Sequence, residues 1–249
     1  MQTTIDGLVL RGRTIQDDRA LTILTASKGL VTAFANKAGT MRSRLAASTE
    51  VLCYSRFVLF SHRGRTVVDK ADSNHIFFGV RQDYGQLCLA SYFAQLSTEL
   101  LTQDEPAEEP LRLLLNSLHH LEKGTRDQRL LKPLYELRLL TLTGFMPDLV
   151  GCRFCKEYQA DEMYFSAREG SIACGPCCRE TDSAGGVRIS AGTLAAMRHI
   201  IYAPVERLFS FTLGDCGLDE LGRLSEQYLL SKAERSFSAL ELYRNSCFA

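Results

Sequence analysis

The stretch GCRFCKEYQADEMYFSAREGSIACGPCC, residues Gly151–Cys178, holds five of the nine cysteines in the chain. Its two Cys-x2-Cys pairs are separated by 18 residues, which lies within the spacing of four-cysteine zinc sites. Each pair can direct two thiolates to one point, and a tetrahedral zinc with four such ligands has no open position for catalysis. The pattern therefore predicts one structural Zn²⁺ per chain, which would hold together a segment too small to bury its own core. The predicted ligands are Cys152, Cys155, Cys174 and Cys177.

The string CGPC, Cys174–Cys177, also occurs at the active site of thioredoxin-like proteins, which gives a competing interpretation. That motif needs a preceding strand and a long helix leading directly out of it, whereas here CRETDSAGG follows, which is typical of a loop. A redox role would also leave Cys152 and Cys155 unexplained, so zinc is favoured over redox chemistry and over an empty knuckle. Cys178 is the reserve for the fourth ligand. The other cysteines are interpreted as small buried hydrophobic residues: Cys53, Cys88, Cys216 and Cys247.

Upstream of this knuckle, the first 75 residues predict strands, because short segments rich in β-branched and aromatic residues alternate with turns. Ser27-Lys28-Gly29 and His62-Arg63-Gly64-Arg65 are typical of tight hairpin turns. Five short strands without a helix between them predict a small closed barrel, since closure removes exposed edges. The predicted strands are Thr4–Arg11, Ala20–Ala26, Leu30–Asn36, Val51–Phe60 and Arg65–Ala71.

From about Gln82 onward, apolar residues recur at helical spacing on both sides of the knuckle. The predicted helices are Asp83–Leu101, Leu111–Lys123, Asp127–Gly144, Ser190–Pro204 and Leu218–Glu234. The fold class is therefore α+β and multidomain: a β-barrel over residues 1–78, an α-helical domain over 79–150 and 181–249, and the inserted four-cysteine zinc knuckle over 151–180.

The β domain carries basic residues at strand ends, turns and loops, where small oligonucleotide-binding barrels meet the phosphate backbone. These candidates are Arg11, Arg13, Lys28, Lys37, Arg42, Arg44, Arg63 and Arg65. Residues 1–80 hold 11 Lys or Arg against 6 Asp or Glu, although the formal net charge of the whole chain is +0. A local surplus attracts a polyanion, but a solvated basic face is the alternative. Phe34, Tyr54 and Phe57 could offer stacking surfaces, yet their half-buried strands favour a core role.

No catalytic arrangement is visible in the sequence. It contains no GxxxxGK[ST], GxGxxG or HExxH motif, and its histidines, such as His119, His120 and His199, are interpreted as surface or capping residues. The chain is therefore expected not to be an enzyme. No apolar run approaches the roughly 20 residues that span a bilayer, and the first residues lack the segments of a secretory signal. We expect a cytoplasmic protein with reduced thiols.

Three segments resemble the bacterial recombination mediator RecO family, in the right order over nearly the whole chain. GLVLRGRTIQDDRALTILTASKGLVTAFANKAGTMRSRL (Gly7–Leu45) resembles the family's N-terminal barrel, with its strand ending in basic residues, acidic turn, hairpin and basic loop. ELRLLTLTGFMPDLVGCRFC (Glu136–Cys155) resembles the family's helix, glycine, proline and first cysteine pair. YFSAREGSIACGPC (Tyr164–Cys177) resembles the return to the second pair, except that Gly170-Ser171 stands where the family often has Gly-Gly.

The resemblance implies an N-terminal OB-fold, a helical domain with a zinc knuckle, and a non-enzymatic role in DNA repair and recombination after DNA damage, in the RecFOR pathway. Such a protein binds single- and double-stranded DNA without sequence specificity and anneals complementary strands. With RecR it helps to load RecA onto DNA coated by single-strand-binding protein, so RecA is an indirect partner. The helical domain would receive the C-terminal tail of the single-strand-binding protein, through residues that the sequence does not identify.

Carried onto this sequence, the resemblance makes the basic strand-end and loop residues the DNA contacts: Arg11, Arg13, Lys37, Arg42 and Arg44, followed by Arg63 and Arg65. It also implies a cytoplasmic, nucleoid-associated protein that makes no membrane contact. Two other functions stay open. One is a protein–protein adaptor with a zinc knuckle and no direct DNA binding, and the other is a thiol oxidoreductase that uses CGPC.

Overall fold

The computed structural model describes residues 2–40, 42–62, 64–180 and 186–246, and of His62 only the backbone. Within it, Met1–Thr125 with Phe237–Ala249 form one compact unit and Arg126–Ser236 form a second. This division differs from the ranges expected above, because the first two helices group with the barrel. The expected domain boundaries stay a prediction. No helix of the described residues is both long enough and apolar enough to cross a membrane.

The first unit contains a closed barrel in which five strands follow the order β1-β2-β3-β5-β4. The strands are β1 Gln2–Ile15, β2 Asp18–Thr25, β3 Gly29–Ala35, β4 Cys53–His62 and β5 Arg65–Ile76. β3 and β5 pair in parallel at Phe34 and Val67, and the other neighbours pair antiparallel. The predicted OB-fold barrel is confirmed.

Alternation along the strands builds the barrel core, because successive side chains point to opposite faces. Ile5, Val9 and Ile23 point inward with the small residues Ala33 and Ala35, and all of them are buried. A bulge in β1 between Val9 and Arg11 shifts the register against β2, and beyond it Arg11 and Arg13 are exposed.

The described residues between β3 and β4, 36–40 and 42–52, form turns and bends rather than a helix. This segment packs Ala38, Leu45 and Val51 against the barrel core. Its glycine lies very close to the β1–β2 hairpin: the Gly39 N–H donates to the Asp17 carbonyl at 2.8 Å. The segment is therefore held against the barrel at the end where β1 turns into β2.

Three helices complete the first unit: α1 Tyr84–Leu100, α2 Glu108–Lys123 and α7 Ser238–Ser246. α1 agrees with its predicted position, α2 begins at Glu108 rather than at the predicted Leu111, and α7 was not predicted. α7 is held by α1, since the Ala239 N–H donates to Gln95 Oε1 at 2.9 Å. The Phe237 ring, just before α7, lies edge-on to Tyr92 with centroids 6.3 Å apart.

The second unit is built on α3 Gln128–Leu142, α5 Ala191–Tyr202 and α6 Asp215–Ala233. Ser190 caps α5 as predicted, because its hydroxyl accepts from the Thr193 N–H at 3.2 Å. The predicted start of the last of these helices at Leu218 is wrong, since α6 begins at Asp215. Pro133 is the sixth residue of α3 and lies inside the helix.

A small three-stranded sheet of order β7-β6-β8 lies in the second unit, with β6 Met163–Ser166, β7 Ser171–Cys174 and β8 Val187–Ile189. β6 and β7 pair antiparallel and form a hairpin between the two cysteine pairs. The loop predicted after Cys177 is wrong in its first residues, because helix α4 covers Gly175–Glu180. A helix of six residues is still much shorter than the long helix that a thioredoxin-like site requires.

Candidate metal centre and nucleic-acid interface

Four cysteine side chains of the second unit converge on one point. The Sγ atoms of Cys152, Cys155, Cys174 and Cys177 all lie within 4.8 Å of one another. In a tetrahedral site with Zn–S bonds of about 2.3 Å, neighbouring sulfurs are about 3.8 Å apart. Cys155 Sγ and Cys174 Sγ are 3.6 Å apart, so the cluster needs only small adjustments to hold such an ion. The predicted grouping of these four cysteines is confirmed.

Backbone turns and a strand end aim the sulfurs at this point. The Cys152 N–H donates to the Glu157 carbonyl at 2.8 Å, and the Lys156 N–H donates to the Cys152 carbonyl at 2.9 Å, which closes a tight turn around the first pair. Cys174 ends β7 and Cys177 lies in α4, so the strand-to-helix junction presents the second pair. The Cys174 N–H points at Cys152 Sγ from 3.4 Å, which joins the two halves.

Burial and hydrogen bonds shift the pKa of Cys152 and the pKa of Cys177 in opposite directions. At Cys152, burial raises the pKa, but backbone N–H groups of Cys155, Cys174 and Phe154 outweigh it and lower the pKa to about 6. At Cys177, hydrogen bonds with the Cys174 and Cys155 side chains raise the pKa far above the usual value of a thiol. One thiolate forms readily and disfavours the next at this distance, so a cation is needed to keep all four deprotonated.

This donor set fits the predicted metal. Four soft thiolates in tetrahedral reach suit Zn²⁺ or an iron–sulfur centre, and the two spaced pairs favour zinc. Four protein ligands leave no position for a substrate, so the ion would act structurally by tying the first turn to β7 and α4. The identity of the metal stays a prediction.

Cys178 lies outside the four-sulfur cluster although it adjoins Cys177 in sequence. It is half-buried in a cleft lined by Tyr164, Ser171 and Ala173, and burial raises the pKa of its thiol. The geometry thus favours Cys177 as the fourth ligand. Of the cysteines expected to be buried hydrophobic residues, Cys53 and Cys88 are buried, Cys216 is exposed, and Cys247 lies outside the described residues.

Several of the predicted DNA-binding residues share one end of the barrel. Arg13 pairs across β1 and β2 with Ala20, which pairs with Phe34 on β3. The Arg65 guanidinium lies over the Phe34 ring at 4.3 Å, so Arg65 reaches this end from the β4–β5 hairpin. Lys37 is the second residue after β3, where its N–H donates to Asp18 Oδ1 at 2.8 Å.

The other candidates are placed as follows. Arg11 is exposed two pairs before Arg13 on β1, opposite Thr22, and Arg42 and Arg44 are exposed in the segment after β3. Lys28 is separate, because it lies in the β2–β3 turn beyond the pair of Thr25 and Gly29, at the opposite end of these strands. Arg63 lies outside the described residues.

Ion pairing separates these candidates from the other arginines of the barrel. Arg19 pairs with Glu50 at 2.6 Å and Arg56 pairs with Asp6 at 2.9 Å, so both charges are locally neutralised. The Arg56 side chain, by its hydrogen bond, holds the pKa of Asp6 below its usual value. Of the eight predicted DNA-binding residues, the seven that the structure describes are exposed and form no ion pair: Arg11, Arg13, Lys28, Lys37, Arg42, Arg44 and Arg65.

Aromatic residues on the barrel divide between core and surface. Phe57 is 0% exposed and belongs to the core, as expected. Phe34 and Tyr54 are only partly buried and lie on the outer face, so the core interpretation is wrong for them. Phe60, which sequence reasoning missed, is 48% exposed. The alternation of β4 could have predicted this exposure, because Phe57 and Leu59 point inward and Phe60 therefore points outward.

Comparison with known families gives two matches that together span most of the chain. Residues 1–77 match the family model described as Recombination protein O N terminal. Residues 81–241 match the model described as Recombination protein O C terminal. The boundary between the two matches falls just after β5.

Full-length relatives give the same result. The DNA repair protein RecO of Acetivibrio thermocellus is 33% identical over 239 residues, covering 96% of this chain and 94% of that protein. The DNA repair protein RecO of Symbiobacterium thermophilum is 31% identical over 241 residues, covering 95% of this chain and 94% of that protein. The DNA repair protein RecO of Alkaliphilus metalliredigens is 26% identical over 239 residues, covering 95% and 96%.

Proposed function

This chain belongs to the recombination protein O family, whose members are DNA repair proteins, and we propose that it binds single- and double-stranded DNA through its barrel without reading base sequence. In this proposal it anneals complementary strands. With RecR it helps to load RecA onto DNA coated by single-strand-binding protein, whose C-terminal tail the helical region receives. The protein then acts in the cytoplasm, at the nucleoid, and its role is not catalytic.

The observation that supports the proposal most directly is the set of basic side chains without acidic partners. Arg13, Lys37 and Arg65 meet at one end of the barrel, with Arg42 and Arg44 in the neighbouring segment. A salt-bridged arginine must lose its partner before it can hold a phosphate, whereas these side chains keep their full charge for a polyanion. Lys28 lies at the far end of the strands and has a secondary role.

Contacts of this type give affinity without sequence preference. Each Lys or Arg that neutralises a phosphate releases counterions, so log affinity falls with log salt by about 0.7 per contact on single strands. Phosphate contacts carry no sequence information, and they leave the base edges free to pair. An annealing protein needs both properties.

The knuckle has a structural role in this proposal. Its four thiolates hold Zn²⁺, and the ion fixes the turn at Cys152 against β7 and α4. The sheet β7-β6-β8 is too small to bury a core of its own, so the metal replaces missing hydrophobic stabilisation. No proposed DNA contact lies in this region.

A charge-removal experiment tests the DNA-binding surface. We expect Arg42→Ala combined with Arg44→Ala to weaken binding of single strands similarly for every sequence, and to make the log–log salt slope about 1.4 shallower for two lost contacts. The control is Arg207→Ala combined with Arg223→Ala, which removes the same charge from exposed positions in the second unit. Equal affinity and slope in the first variant and the wild type would exclude the segment after β3 as a DNA contact.

Strand annealing tests the wider role. Complementary oligonucleotides coated with single-strand-binding protein should pair faster when the wild-type chain is added. The Arg42→Ala, Arg44→Ala variant should accelerate pairing less than the wild type does. If the chain binds no bare DNA in gel shifts yet still binds RecR, the adaptor function replaces the one proposed here.

A further inference from the structure

The outer face of the barrel carries an aromatic row beside its basic residues. Phe34 pairs with Val67 between β3 and β5, and Val67 pairs with Phe60 between β5 and β4. Cross-strand partners project from the same face of a sheet, so these three side chains stand side by side. Their chain neighbours Ala33 and Leu59 are buried in the core, which fixes the row on the outside.

This row is accessible. Phe60 is 48% exposed, although its strand neighbours Phe57 and Leu59 are 0% and 5% exposed. Phe34 and Val67 are partly buried, and the Phe34 ring is covered on one side by the Arg65 guanidinium at 4.3 Å. Nearly half of the Phe60 surface is therefore open to contact with another molecule.

Cations surround the row on several sides. Arg13 lies beyond Ala20 in the same cross-strand line, with Arg65 over Phe34. Lys70 pairs with Val58, which lies two residues before Phe60 on β4 and points to the same outer face. Asp69, in the bulge of β5 between Val68 and Lys70, is an exposed acid close to the row. The face therefore combines aromatic surface with a positive surplus.

We propose that Phe60 and the Arg65-covered Phe34 form a stacking platform for the unpaired bases of single-stranded DNA. The proposal rests on the DNA binding by the barrel proposed above, and adds a second source of affinity that acts on bases rather than phosphates. Every base has a π-face, so stacking on phenylalanine or on a planar guanidinium is tolerant of sequence. A hydrophobic protein partner fits the face less well, since Arg13, Arg65 and Lys70 would lose hydration without a matching anion.

Stacking gives the barrel a preference that phosphate contacts alone cannot give. In duplex DNA each base is already stacked and paired, so its face is closed to Phe60, whereas an unpaired base can use the platform. The platform therefore favours single strands over duplex. When two complementary strands pair, their bases leave the aromatic row and stack on each other, which weakens the hold of the protein on the annealed product.

The test measures affinity for two single strands with the same number of phosphates, an oligonucleotide of thymidines and its abasic counterpart. A duplex is measured beside them, because its bases are already stacked. We expect Phe60→Ala to weaken binding of the thymidine strand about tenfold, and to leave binding of the abasic strand and duplex unchanged. Phe78→Ala is the matched control, because Phe78 is 61% exposed but follows the opposite end of β5.

A direct readout is available because the chain contains no tryptophan. In Phe60→Trp the only indole lies in the row, so a stacked base should quench its fluorescence, while the abasic strand should not. If the wild type binds thymidine and abasic strands equally and the indole is not quenched, the platform is wrong although the barrel still binds DNA. If no strand binds at all, the proposed function fails together with the platform.

Discussion

Cys177 and Cys178 are neighbours in sequence but lie in different chemical surroundings. The Cys177 sulfur belongs to the cluster in which all four Sγ atoms are within 4.8 Å of one another. Cys178 projects from the same short helix toward Tyr164 and Ser171, outside that cluster. The α-helix separates consecutive side chains by about 100°, so one turn cannot direct both thiols to the same ion.

Zinc content should distinguish these two residues. We expect Cys177→Ser to lose most of its zinc and to unfold at lower temperature, because a hydroxyl is a poor replacement for a thiolate ligand. Cys178→Ser changes the adjacent residue in the same helix, and we expect it to retain about one zinc per chain. Elemental analysis of the purified proteins measures the difference, and zinc loss in Cys178→Ser alone would reverse the assignment.

Local spacing made the cysteine cluster predictable, whereas the aromatic row was not. Two Cys-x2-Cys pairs carry their geometry with them, because each pair forms its own turn. Phe34, by contrast, reads as a core residue until the parallel pairing with Val67 and the position of Arg65 are known. That pairing joins strands distant in sequence, and no short pattern encodes it.

Among the secondary structure elements, α5 depends on a carboxylate supplied by α6. Glu220 accepts from the Ser190 N–H at 3.1 Å and from the Ser190 hydroxyl at 2.5 Å, at the N-terminal end of α5. Burial raises the pKa of Glu220, but hydrogen bonds from Ser190 and Thr193 outweigh it, so the pKa is below its ordinary value of 4.5. A negative charge here also complements the dipole of α5.

The Glu220 contact should make stability depend on pH in a defined direction. A carboxyl with a depressed folded pKa stabilises fully above its unfolded pKa and loses this contribution as pH falls through the folded pKa. We expect Glu220→Gln to lower the free energy of unfolding at pH 7 by about 1 kcal/mol, allowing for solvent screening. Because the wild type loses the contribution in acid, the difference should shrink well below pH 4.5.

Urea unfolding at pH 7 and at the lowest pH where both proteins remain folded measures this effect. Glu234→Gln is the control, since Glu234 is exposed at the end of the same helix. A difference that is constant with pH would show that Glu220 acts by packing rather than by charge.

Strands and helices were predicted correctly where a local sequence pattern determines them. The prediction failed where contacts between distant residues determine whether a helix forms or where it begins. The five strands and the long helices follow from alternation and helical spacing. α7 has only nine residues, and its start is held by Gln95 of α1, far away in sequence. α6 begins at Asp215, one turn before its first buried leucine, Leu218, and this first turn lies outside the apolar stripe on which the prediction relied.

At the scale of the whole molecule, the metal cluster and the proposed DNA surface belong to different compact units. The four cysteines lie within Arg126–Ser236, and the proposed DNA contacts and aromatic row lie within Met1–Thr125. The net charge of +0 conceals this division, since the basic surplus of the first 80 residues is balanced elsewhere. Charge of this kind acts locally, within a screening length of about 8 Å at physiological salt.

Metal removal should therefore affect stability and DNA binding differently. We expect a zinc chelator to lower the temperature at which the second unit unfolds, because a structural zinc site contributes folding free energy. Affinity for single strands and its salt dependence should stay unchanged below that temperature, since no proposed contact involves the knuckle. Parallel thermal unfolding and salt titrations measure both effects, and Cys152→Ser treated with chelator controls for effects unrelated to the site. DNA affinity that falls in proportion to bound zinc would instead place the knuckle within the DNA-binding surface.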